Sequence, residues 1–120
     1  MAKKFIKTIP KAPKLKKISF HPVYHINLQE VVLFSVEMFG KRVAKEFFEE
    51  IKQSIIRLRT MPNMYVKCRF VDSTEQKTFR NIIVRSYYIV YVITATEITV
   101  LDIIHQSVSP ENIKKRIEEL

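Results

Sequence analysis

The residues with the most chemical scope lie along one stretch, "FRNIIVRSYYIVYVITATEITVLDIIHQS", residues 79–107. Near its end stands His105, whose imidazole can exchange a proton near neutral pH. Arg80 and Arg85 carry fixed charge suited to a phosphate or an acidic partner. Tyr87 and Tyr91 stand in phase along the same run. Aromatics at period two serve packing more often than stacking on bases. Asp102 is a carboxylate inside the apolar "VLDII". A buried charge is costly unless paired, so Asp102 either faces the open side of the sheet or meets an arginine such as Arg80, and the pair is favoured.

Other chemistries are excluded by what is missing. Cys68 is the single cysteine, so it forms no disulfide within the chain and has no second thiol for zinc. His21 and His25 lie four apart but lack a third ligand, so no metal is expected. Gly40 is the only glycine, which removes any glycine-rich phosphate loop. No apolar run reaches the ~18 residues of a membrane span, and the lysine-rich start lacks the apolar core of a secretory signal. A reducing, cytoplasmic setting is expected.

Charge is distributed unevenly. The chain of 120 residues has net charge +9. Residues 1–20 hold seven lysines and no acid, whereas residues 21–120 hold 14 Lys and Arg against 12 Asp and Glu, a net of +2. Residues 1–14 therefore read as a basic, flexible arm, with Pro10 and Pro13 opposing a helix. Such an arm either attracts an acidic partner or is a solvated lead-in. Residues 15–120 read as one domain, with enough apolar content (47% of the chain) for a core.

Positioning falls to the flanking elements. "KLKKISF" suits a short strand at 15–20. A helix follows to Gly40, with Ile26, Val31, Phe34 and Met38 as its apolar positions, Leu28 and Val32 beside them, and glycine as its C-terminal cap. A second helix follows at once. Its stripe of Ala44, Phe47, Phe48, Ile51, Ile55 and Leu58 faces a core, and Pro62 marks its end. Helices joined by so short a turn form an antiparallel hairpin. Residues 63–77 are a loop with a frayed strand at "YVKCRF". Strands at about 79–84, 87–93 and 97–104 form a meander through short turns. Ser109 and Pro110 start a closing helix. The order is β-α-α-β-β-β-α, an α+β fold: an antiparallel sheet with the two-helix hairpin on one face. The other face is expected to be more open, or to meet a partner.

The order and spacing of "ISFHPVYHINLQEVVLFSVEMFGKRVAKEFFEEIKQSIIRLRTMP" and "FRNIIVRSYYIVYVITATEITVLDIIHQ" resemble the RelE/ParE superfamily of toxins from type II toxin–antitoxin, or plasmid stabilisation, systems. The resemblance spans about residues 15–108. It implies a growth inhibitor held silent by a cognate antitoxin protein, with no cofactor, no small-molecule substrate and no membrane partner.

The superfamily divides by target. RelE-like members cut mRNA on the ribosome, as mRNA interferases. ParE-like members poison DNA gyrase without catalysis, so whether this chain is an enzyme turns on the branch. Metal-free RNA cleavage needs a base for the 2′-hydroxyl, cations for the phosphorane and an acid for the leaving oxygen. Under that reading His105, Arg80, Arg85 and Tyr87 are the catalytic set. Lys67, Arg69, Arg80, Lys14, Lys16 and Lys17 are the candidates for contact with a partner or nucleic acid. RelE-like nucleases carry arginine in Tyr-Arg-x-x-Tyr, where this chain has Tyr88. Phe79-Arg80 followed by Ile82, Ile83 and Val84 looks more like the ParE branch, so ParE-like inhibition of gyrase is the expectation. The alternatives are the ribosome-dependent endoribonuclease and a non-toxic, basic nucleic-acid-binding domain that relies on the arm.

Overall fold

The computed structural model describes residues 15–120; the basic arm and Lys14 lie outside them. The chain runs β1 (Lys17–Phe20), α1 (Pro22–Phe39), α2 (Lys41–Ile56) with a 3-10 turn at Arg57–Arg59, β2 (Thr78–Val84), β3 (Tyr87–Ile93), β4 (Glu97–His105) and α3 (Pro110–Glu118). The order β-α-α-β-β-β-α is the one expected. The sheet order is β1-β4-β3-β2. The meander is antiparallel, but β1 lies parallel to β4, so the sheet is mixed rather than wholly antiparallel. The helical hairpin carries the chain from one sheet edge to the other and leaves β1 beside the last strand.

The local signals in the sequence explain the helices. His21 caps α1: its Nδ1 accepts from the Val23 N–H at 3.1 Å, which commits that ring to structure. The Gly40 N–H closes α1 on the Val36 carbonyl, and its φ of +87° and ψ of 168° fall where only glycine is comfortable. Ser109 caps α3 by accepting from the Asn112 N–H. The stripe on α2 is as expected at Ala44, Phe47, Ile51 and Ile55, all buried, and Leu58 of the 3-10 turn continues it, whereas Phe48 is only half-buried.

Helix α1 departs from expectation. Ile26, Phe34 and Met38 are exposed, not core. The face on the sheet is instead Tyr24, Leu28, Val31 and Ser35, spaced 4, 3, 4. Apolar residues occur on both sides of this helix, so composition conceals the buried stripe, and one of its members is a serine. Burial raises the Tyr24 phenol pKa to about 12.

The sheet is covered on both faces, so the second face is not open. The hairpin covers Ile82, Val84, Ile89, Tyr91, Ile98, Val100 and Ile103. Ile113 and Ile117 of α3, with Cys68 and Phe70 of the preceding loop, cover Val90, Val92, Leu101 and Ile104. That loop holds the frayed strand: Lys67 bridges Arg80, with the Cys68 N–H on the Phe79 carbonyl and the Asn81 N–H on the Val66 carbonyl.

A β-bulge shapes β4. Val90 pairs with Asp102 and Tyr91 with Val100, leaving Leu101 extra. Val100 and Ile103, three apart, can therefore both face the hairpin, which a regular strand forbids. Asp102 sits fully buried at the bulge. Its Oδ1 accepts from Asn27 Nδ2 of α1 at 2.7 Å and from the Ile103 N–H at 2.8 Å. Its Oδ2 accepts from Arg116 Nη2 of α3 at 2.9 Å. The partner is thus Arg116 and not Arg80, because β3 stands between Arg80 on β2 and Asp102 on β4.

Candidate functional site at the end of the sheet

His105 ends β4 directly opposite Tyr87, which begins β3. The two rings meet edge to face, 5.0 Å apart at 88°. The adjacent turn is held by the Gln106 N–H on the Ser86 carbonyl. Arg85 stands in that turn at φ +53°, a left-handed conformation that a two-residue hairpin demands. Sheet register and turn geometry thus gather three of the four catalytic candidates, His105, Tyr87 and Arg85. They line a cavity of about 250 Å³ with Phe34, Ser35, Phe39, Val43, Phe47 and Ser86.

The Ser107 N–H donates to His105 Nδ1 at 3.0 Å, and the Ser107 hydroxyl donates to the same atom at 2.7 Å. A backbone N–H cannot accept, so Nδ1 keeps its lone pair and the neutral ring carries its proton on Nε2. Arg85 makes a two-pronged bond to Glu50, from Nε to Oε2 at 3.0 Å and from Nη2 to Oε1 at 2.9 Å. Its guanidinium also covers the Phe47 ring. Hydrogen bonding from Arg85 holds the Glu50 carboxyl below its usual range, and Glu50 raises Arg85 in return. Burial pushes the Tyr87 phenol up, so it is a neutral donor at physiological pH.

The other candidates lie elsewhere. Arg80 is five residues from Arg85 along β2, roughly 16 Å at strand rise. Its Nη1 donates to the Tyr65 carbonyl at 2.6 Å, and its Nε is buried without a partner among the described residues. The neighbouring Tyr91 donates to the Pro62 carbonyl at 2.8 Å, and burial raises its phenol strongly. Lys67 is exposed opposite Arg80. Arg69 is exposed and covers the Phe70 ring. Lys16 and Lys17 belong to the opposite edge of the sheet, where Lys16 Nζ donates to the Thr94 carbonyl at 2.8 Å.

Sequence reasoning missed the apolar walls contributed by Phe34, Phe39 and Val43, and the acid, Glu50, that engages Arg85. Only a serine two residues after a strand-end histidine was available as a signal for the Ser107 contact. Among the described residues no group of three His, Cys, Asp or Glu could hold a metal, and no helix is long and apolar enough to cross a membrane.

A four-stranded mixed sheet clasped by a helical hairpin, with this chain order, is a ParE-like fold. The chain belongs to the family described as "ParE toxin of type II toxin-antitoxin system, parDE", whose model matches residues 18–110. Membership implies a cognate antitoxin as partner. Among solved structures, the chromosomal ParDE toxin–antitoxin system from P. aeruginosa matches with a TM-score of 0.62. The match covers 78% of this chain and 98% of that one at 13% identity, a likeness of fold. No curated protein matches the sequence.

Proposed function

We propose that this toxin acts in the cytoplasm by binding and inhibiting DNA gyrase, without cleaving RNA, and that its antitoxin silences it by direct contact. The observation that carries the reading is the state of the groups at the end of the sheet. RNA cleavage by this set needs free cations converging on one phosphate, with a base and an acid placed at the same phosphate. Here Arg85 is engaged by Glu50, and Arg80 stands far along the strand. His105 accepts at Nδ1 from a backbone N–H, so in its neutral form Nε2 is a donor and not a base. Family membership favours the same reading.

The test is a supercoiling assay with purified gyrase beside a ribosome-dependent mRNA cleavage assay. The expected result is blocked supercoiling by the wild-type chain and an intact message. Message cut on the ribosome, with the cut abolished in His105→Ala, would overturn the proposal. In cells, induction should depress thymidine incorporation before leucine incorporation.

A further inference from the structure

We infer that the cavity beside His105 is a receptor for one bulky apolar side chain of a partner protein, with His105 Nε2–H donating to a main-chain carbonyl of the partner segment. This deepens the gyrase reading and rests on it for the partner's identity. The walls are apolar: Phe34, Phe39, Val43, Phe47 and the Tyr87 ring enclose about 250 Å³, room for a large side chain. Two wall residues are uncovered, Phe34 at 51% and Phe39 at 61% exposure. Anchors that fill such pockets dominate protein–protein affinity.

Charge selects between occupants. Among the described residues the only guanidinium at the cavity is held by Glu50, and Glu46 also acts on it. A phosphate approaching Arg85 meets a carboxylate already in place, so nucleotides are disfavoured. A neutral peptide segment meets no such opposition. The polar groups around the cavity suit it: the His105 Nε2–H and the hydroxyls of Ser35, Ser86 and Tyr87 stand beside the apolar Phe34, Phe39, Val43 and Phe47.

The experiment uses the full chain, labelled for NMR, and two probes. N-acetyl-phenylalaninamide mimics an apolar side chain with its main-chain carbonyl, and adenosine 5′-monophosphate represents a nucleotide. The amide is expected to shift His105, Tyr87 and Val43 signals at millimolar concentration, and the nucleotide to leave them unmoved. Val43→Trp, which fills the cavity, should abolish the amide's effect. His105→Ala should weaken it up to about tenfold, the loss of one hydrogen bond. His105→Gln, which keeps an N–H, should restore most of it.

Shifts from the nucleotide alone, or from neither probe, overturn the inference. So does dimerisation by sedimentation that Val43→Trp abolishes, since the occupant would then be a second copy. In the gyrase assay Val43→Trp should lose inhibition at least tenfold with an unchanged melting temperature and unchanged antitoxin binding. If it inhibits as well as wild type, the inference fails and the gyrase reading survives. If wild type itself does not inhibit gyrase, that reading fails while the probe titration still reports on the cavity.

Discussion

At the scale of single residues, Asp102 shows how far a sequence can be read. An acid within "VLDII" must be paired, and it is, with Asn27, Arg116 and its neighbour's backbone N–H. The requirement follows from desolvation and was legible. The identity of the partner depends on which elements stack across the bulge, and it was not. Asp102→Ala leaves Asn27 and Arg116 without their acceptor, and a loss of about 3–5 kcal/mol is expected in urea unfolding. Arg116→Ala should cost less, because that side chain is 36% exposed and the acid keeps two other donors. Equal effects would show that the ion pair alone sets the cost.

The Glu50–Arg85 pair gives a pH-dependent term of definite sign. The folded pKa of Glu50 lies below its ordinary value of 4.5. Its contribution is therefore present above that value and is lost as pH falls through the lower folded pKa. Both groups are largely exposed, so screening keeps the term below about 1 kcal/mol. Glu50→Gln should destabilise slightly at pH 7, less in high salt, and not at all near pH 2. A deficit that persists unchanged into acid would mean the carboxylate acts through packing.

At the scale of elements, Gly40 ends one helix and starts the next. A Cβ there would meet no atom within 4 Å, so any cost of Gly40→Ala comes from the backbone at φ +87°. A loss of about 1–3 kcal/mol is expected by denaturant titration. A neutral result would mean that the turn relaxes into another conformation. Local signals carried this level well: caps, the α2 stripe and the hairpin turns are short-range chemistry. They failed on α1, because Ile26, Leu33, Phe34, Met38 and Phe39 outnumber the buried set and remain exposed. Which side of an all-round apolar helix turns inward is decided by the sheet it meets.

At the scale of the whole molecule, charge and core separate. Removing residues 1–14 deletes five lysines and takes the net charge from +9 to +4. Non-specific binding to duplex DNA should weaken, and the slope of log affinity against log salt should become shallower by up to about 4.5. Gyrase inhibition should persist. Loss of inhibition together with DNA binding would return the arm to the centre of function. The matched family region ends at Pro110, the first residue of α3. Ile113 and Ile117 of that helix nevertheless bury the second sheet face, which the sequence left open to a partner.

By itself the sequence determined the order of elements, the α+β class, the caps at Gly40 and Ser109 and the toxin family, because these rest on local periodicity, turn chemistry and residue order. Only the tertiary structure decided that the sheet is mixed and covered on both faces. It alone showed that Asp102 joins α1 and α3, and that His105, Tyr87 and Arg85 surround one cavity while Arg80 stands apart. Strand register and the bulge set those distances, and both arise from long-range pairing that no stretch of the chain contains alone.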